Sequence, residues 1–200
     1  MADTILHHYA ASPFAEKIRA ILGYKGMQWR SVEIPVVMPK PDLTALTGGY
    51  RKTPVLQVGA DVYCDTALIA RVLDDLQGEP RAYRPEQEAV AVPAGRWLDH
   101  NLFFAAIALL FDPGIMAGEQ TSLGGPEEVA AFLKDRGPML ATARVKPPPL
   151  PAARVIVDDV LRRLELQLAT GGPFLFGGAA GWADFCAYHP LWVLRGNAAL

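Results

Sequence analysis

The chain has little cysteine: two residues in 200, Cys64 and Cys186, with neither metal-ligand nor redox-motif spacing. Each is flanked by apolar residues and reads as a buried small hydrophobe, and so few thiols fit a reducing cytoplasm. Charge of one sign is also scarce. Nineteen basic against 21 acidic side chains leave a net charge of -2, which removes the electrostatic case for nucleic acid or an acidic surface as a partner. No signal peptide is expected: Met1–Ala2–Asp3–Thr4 is polar, and Ile5–Leu6 runs at once into His7–His8. The apolar run from Leu102 to Phe111 is too short to span a bilayer, so no membrane partner is expected. No repeat is found, and no disordered tail is expected at Ala198–Ala199–Leu200. A soluble, cytoplasmic protein is the expectation. What remains, 51% hydrophobic and 20% charged residues, suffices for a buried core in one large domain or two small ones.

Local patterns order that core. Thr4 to Tyr9 is a short apolar run, read as a buried strand. Pro13 suits a first helical position, where its missing N–H costs nothing, with Ser12 as the N-cap. Phe14, Ile18, Ile21 and Leu22 follow at helical spacing. Trp29 to Ile34 alternates as a strand does, and Pro35, Pro39 and Pro41 then enforce a loop. Asp42 to Leu46 has room for one helical turn before Gly48–Gly49. Val55–Val58 and Val62–Cys64 read as strands joined by a turn at Gly59–Ala60–Asp61. Asp65 or Thr66 caps a helix carrying Leu68, Ile69, Val72, Leu73 and Leu76, ended by Gly78. Two strand–helix units with a hairpin between them predict an α/β sheet, in the order of a thioredoxin-like domain.

After Gly78 the character changes. Glu79 to Pro85 reads as a linker, and no strand pattern recurs beyond it. Glu86–Phe111, Pro126–Thr142, Ala152–Leu168 and Trp182–Leu194 are the helical candidates, with Pro147–Pro151 a spacer or helix start. Residues 1–78 are thus expected to form the α/β domain and residues 86–200 an all-helical one.

Three segments carry chemistry. A hydroxyl at a helix start, such as that of Ser12, can donate to an approaching thiolate where unpaired N–H groups and the helix dipole already favour anions, or it can simply cap the helix. Pro54 enters a strand after Arg51–Lys52–Thr53. A cis bond there would turn the Thr53 backbone toward a ligand's main chain, whereas a trans bond would make it an ordinary strand start. Asp65–Thr66 at a helix start can hold a ligand's amine and carboxylate, or serve as a cap alone. His7 and His8 are not a metal pair, because adjacent strand residues face opposite ways. Trp97, His100 and Phe104 share one helical face by spacing; a core stripe with a polar edge is favoured over a pocket lining.

In this order and spacing, Ser12–Pro13–Phe14, Lys52–Thr53–Pro54–Val55–Leu56 and Asp65–Thr66 resemble the glutathione-binding half of the cytosolic glutathione transferases. Ser12–Pro13–Phe14 is similar to the catalytic serine motif of the plant tau class. It is also similar to the omega class, except that omega enzymes carry cysteine at that place. Asp65–Thr66 stands for the family's usual Glu–Ser pair. The resemblance runs through Leu76 and returns at Trp182–Ala183–Asp184–Phe185, similar to the family's folding motif. There Gly181 replaces the capping Ser or Thr, and Gly48–Gly49 replaces the usual Asn–Pro. Members continue for one or two helices past that motif, so the chain reads as a fragment or an unusually short member.

The resemblance implies the glutathione-transferase fold: a thioredoxin-like α/β domain followed by an all-α domain. It implies Ser12 as the catalytic hydroxyl, Lys52, Thr53, Pro54, Asp65 and Thr66 as glutathione-binding residues, and Phe14, Trp97, His100 and Phe104 around a small electrophile. Glutathione would be a co-substrate, with no metal or organic cofactor, and the chain would be a homodimer active in detoxification. Two rivals follow: a glutathione-dependent thiol reductase, which Ser12 in place of cysteine opposes, and a non-catalytic binding or scaffold module of the same fold.

Overall fold

The computed structural model describes residues 3–112 and 123–195. The opening Met1–Ala2 and the closing Ala198–Ala199–Leu200 lie outside them. The chain divides into two compact units, Met1–Ala82 and Tyr83–Leu200.

The first unit follows the order β1 (Thr4–His8), α1 (Pro13–Tyr24), β2 (Arg30–Glu33), α2 (Pro41–Thr47), β3 (Val55–Val58), β4 (Asp61–Cys64) and α3 (Thr66–Leu76). The strands form one sheet in the order β2-β1-β3-β4, with β1 parallel to β2 and antiparallel to β3, and β4 antiparallel to β3. This is the expected thioredoxin-like arrangement. The βαβ crossover supplies the parallel pair and the Gly59 turn, at φ 60°, the hairpin. Leu6 lies opposite Leu56, and both pack with Ile18, Ile21, Leu22, Ile69 and Leu73, all fully buried. Removing such side chains from water drives the assembly, at about 1.5–3 kcal/mol each.

Some boundaries differ from expectation. Pro41 opens α2, and the helix runs two turns to Thr47 before Gly48, at φ 63°, ends it. Helix α3 stops at Leu76, and Gln77 rather than Gly78 is its cap. Cys186 is buried as expected, but Cys64, at the end of the hairpin, is only half-buried.

His7 and His8 are both buried and separately partnered. His7 Nε2 donates to Gln57 Oε1 at 3.0 Å and His8 Nε2 to Ser31 Oγ at 2.8 Å. Arg19 donates to His8 Nδ1 at 2.9 Å while also binding Glu16. Burial, then the Arg19 charge, holds the His8 pKa below the ordinary imidazole value of 6.5. The unfolded chain therefore takes up this proton at a higher pH than the native one. Stability from neutral His8 is fully present above pH 6.5 and is lost as pH falls through the lower native pKa. Thermal melts of wild type and His8→Gln should diverge on acidification, the wild type losing more; parallel curves would remove this account.

The second unit contains a 3-10 turn (Pro85–Gln87), then α4 (Glu88–Trp97), a π turn (Leu98–Leu102), α5 (Phe103–Leu110), α6 (Pro126–Ala141), α7 (Leu150–Gly171) and α8 (Trp182–Arg195). Among its described residues there is no strand, only an isolated bridge between Phe174 and Gly177. The proline run is a helix start, with Pro149 as N-cap of α7. Helix α5 packs on α7 and α8, where Ala105, Ala106, Ala153, Val157 and Ala183 are buried. Gly95 lets α8 press against α4: a Cβ there would lie 2.6 Å from Trp182 Nε1. Asp184 supplies its half of the capping box, accepting the Gly181 N–H at 2.9 Å and the Leu175 N–H at 2.8 Å, so the loop into α8 is held although Gly181 has no hydroxyl. Among the described residues no helix is long and apolar enough to cross a membrane.

Candidate functional site

Ser12 ends the loop from β1 in extended backbone, φ -77° and ψ 116°, and its Oγ accepts the Ala15 N–H at 3.2 Å. Its own N–H is bound to Tyr9 O at 3.1 Å, which fixes the hydroxyl over the first turn of α1. A serine hydroxyl has one donor and two acceptor positions. The cap uses an acceptor, so the O–H remains a donor at the positive end of the helix. Ser12 is 2% exposed, and a hydrogen bond made there is little weakened by competing water.

Pro54 follows a cis bond, as expected of a strand entry that presents backbone. No hydrogen bond among the described residues occupies the Thr53 N–H or C=O. Lys52 is exposed, with its charge in solvent. Lys40 belongs to none of the three segments above. It is 2% exposed, its Nζ donates to Thr53 Oγ1 at 3.2 Å, and it stands 5.4 Å from the centroid of the Tyr9 ring. A buried ammonium thus stands beside the cis-proline strand. The only hint in the sequence was a lysine set between Pro39 and Pro41 in a stretch read as plain loop.

Asp65 is the N-cap of α3, its Oδ1 accepting the Ala67 N–H at 2.8 Å. It is also, among the described residues, the one non-glycine residue at positive φ, with φ 78° and ψ 126°. Such backbone costs on the order of 1–3 kcal/mol and persists only where its surroundings enforce it, commonly at ligand sites. Thr66 begins the helix and is buried. Tyr50 stays a phenol, its pKa pushed up to about 12 by burial and then by the Asp65 carboxylate and Cys64. Burial, then Asp65, also raises the Cys64 thiol pKa.

The residues assigned to the electrophile fall in both units, Phe14 in the first and Trp97, His100 and Phe104 in the second. Phe14 is half-buried, with Lys17 Nζ 5.0 Å from its ring centroid. The favoured core-stripe reading of the other three fails: Trp97 is 46% exposed, His100 is exposed, and Phe104 is half-buried. The buried face of this segment is instead Ala91, Gly95, Leu98, Leu102, Ala105 and Leu109, which keeps helical spacing and leaves Trp97 and His100 on the opposite side. Among the described residues, no three His, Cys, Asp or Glu side chains gather as metal ligands would.

Residues 6–81 match the family model for the glutathione S-transferase N-terminal domain, and residues 127–199 that for the C-terminal domain. No curated protein matches the chain. Among solved structures, a glutathione-S-transferase-like protein from Pseudomonas syringae is 43% identical with a TM-score of 0.78, covering 99% of this chain. The chain spans 60% of that protein's length. A tau-class glutathione S-transferase from mango, Mangifera indica, is 20% identical at TM-score 0.63, covering 96% of this chain and 76% of its own. The β-etherase LigF from Sphingobium is 18% identical at TM-score 0.66, covering 96% and 83%. These last two likenesses concern the fold alone.

Proposed function

Because the chain belongs to the glutathione S-transferase superfamily, we propose that it binds glutathione in its first unit and transfers the thiolate to a small electrophilic carbon. The observation that carries this reading is Ser12, a buried hydroxyl with a free donor position at the positive end of α1. A thiol bound there loses its proton to solvent more readily, because the helix start and the Ser12 O–H both favour the thiolate. The sulfur then forms a bond to the electrophile, which releases its leaving group or takes up a proton.

The other residues position the peptide. The backbone of Thr53, before cis Pro54, pairs with the central residue's main chain. Lys40 and Lys52 supply positive charge to a carboxylate. Asp65 takes the γ-glutamyl amine, and Thr66 with the α3 amides takes its carboxylate. Phe14, Trp97, His100 and Phe104 attend the electrophile. Asp65→Asn keeps the cap and tolerates left-handed backbone while removing the charge. It and Lys52→Ala should each raise the glutathione Kd roughly ten-fold, the size of one charge-assisted hydrogen bond. Calorimetry showing unchanged affinity in both variants would refute the assignment.

The chain is further proposed to act in the cytoplasm, in detoxification, as a homodimer. Exposed Leu68 and Leu76 on α3 are apolar side chains that pairing about a two-fold axis would cover. Sedimentation equilibrium should read twice the 21.7 kDa chain mass, and a single-chain mass would remove this part. The non-catalytic module remains the second reading, favoured by the cap Ser12 already makes to Ala15.

A further inference from the structure

We infer that His189 is a positioning residue for the electrophile end of the reaction proposed above, acting through Asp99 on the π turn Leu98–Leu102; the inference rests on that transfer reading. Trp97 and His100 flank or belong to this turn, and both are exposed. In the turn the Phe103 N–H reaches both His100 O and, five residues away, Leu98 O, so the ordinary four-residue ladder is interrupted. Two side chains take up carbonyls around the interruption. His100 Nδ1 donates to Arg96 O at 2.7 Å, and Asn101 Nδ2 to Trp97 O at 3.3 Å. A backbone carbonyl only accepts, so Nδ1 is the donor in the His100 bond.

Those two bonds lie on the solvent side and do not by themselves hold a widened turn. The hold from inside is Asp99, whose Oδ1 accepts the His189 Nε2–H at 2.8 Å. His189 comes from α8, is fully buried, and packs its ring 5.5 Å from that of Phe103. One turn earlier, Gly95 admits Trp182 and Cys186 of the same helix. Helix α8 thus grips the segment on both sides of Trp97. An α-helix advances about 100° per residue. A turn relaxing from five-residue to four-residue bonding would therefore re-aim Trp97 and His100 relative to Phe104.

The test uses His189→Phe, which keeps a ring and removes the donor, and His189→Gln, which returns an N–H near the position of Nε2. With glutathione and a dinitrophenyl halide, His189→Phe should raise the KM for the halide about ten-fold, the scale of one hydrogen bond to a charged group, and leave the KM for glutathione unchanged. His189→Gln should restore most of the loss. Hydrogen exchange of the full chain should quicken in His189→Phe at residues 98–104 and not in α6. An unchanged halide KM, or a parallel rise in both KM values with faster exchange throughout, would overturn the inference. A wild-type chain that binds glutathione but conjugates none of a panel of aryl halides and enals overturns the transfer reading, and the inference with it; a conjugating wild type with an unresponsive His189→Phe overturns the inference alone.

Discussion

Asp74→Ala should destabilise the first unit by about 3–5 kcal/mol, the cost of leaving a buried charge without its partner. Lys25, at the end of α1, has no exposed side-chain surface, and Asp74, on α3, has almost none. The three Nζ donors have three acceptors: Asp74 Oδ1 at 2.9 Å, Gln77 O at 2.6 Å and Pro80 O at 2.7 Å. The same Asp74 oxygen accepts the Ala82 N–H at 2.9 Å, and Gln77 Nε2 returns to Lys25 O at 2.5 Å and Glu79 O at 3.1 Å. One ammonium therefore ties the ends of α1 and α3 to the segment that leaves the unit. Lys25→Met keeps the stem and should lose a comparable amount, because Asp74 and two carbonyls are then left in the core. The double variant Lys25→Met/Asp74→Leu should recover only part of this, since the Gln77 and Pro80 carbonyls and the Ala82 N–H remain unsatisfied. Urea melts with unchanged slope would measure each loss. A loss below about 1 kcal/mol, the range of an exposed ion pair, would show that the cluster is not a clamp.

What the sequence made legible is local. Pro13 after Ser12, the alternation through Val55–Val58, and Asp65 before an amphipathic run each specify an element by propensity and period, and each is found. At Pro54 the sequence allowed a cis or a trans bond, and the bond is cis. What stayed hidden depends on partners distant in the chain. Lys25 and Lys40 are ordinary lysines in sequence, and both are buried because acceptors from other elements converge on them. Asp65 was visible as a cap, but its positive φ is imposed by the junction of β4 with α3 and leaves no mark in composition. Trp97, His100 and Phe104 do share a face by spacing, but the face that is buried is the one carrying Ala91, Leu98, Leu102, Ala105 and Leu109, and which face is covered depends on helices distant in the chain. Even the capping box divides this way. Gly181 showed that one half was missing, while only the fold shows Asp184 using its second oxygen to hold Leu175.

Ser12→Ala should raise the pKa of bound glutathione and cut turnover roughly ten- to a hundred-fold, since one charge-assisted hydrogen bond is worth about 1.5–3 kcal/mol. The sign follows from which form the hydroxyl favours: a donor stabilises the thiolate, so its loss pushes the thiol pKa up and lowers the thiolate fraction near neutrality. The same substitution removes the acceptor for the Ala15 N–H, and about 1 kcal/mol of stability should go with that cap. The two consequences separate the rival roles. A hydroxyl that only caps costs stability and leaves the bound thiol unchanged, whereas one that serves catalysis moves both. Ser12→Cys extends the test, because a thiolate at the start of α1 attacks mixed disulfides. That variant should exchange conjugation for disulfide reduction, with the introduced sulfur forming a bond to the glutathione sulfur and the substrate thiol leaving with a proton. The decisive measurement is the ultraviolet absorbance of the bound thiolate against pH in wild type and Ser12→Ala. Displaced curves place Ser12 in the chemistry; superimposed curves, with stability still lowered, leave it a cap and turn the chain into a glutathione-binding module without turnover.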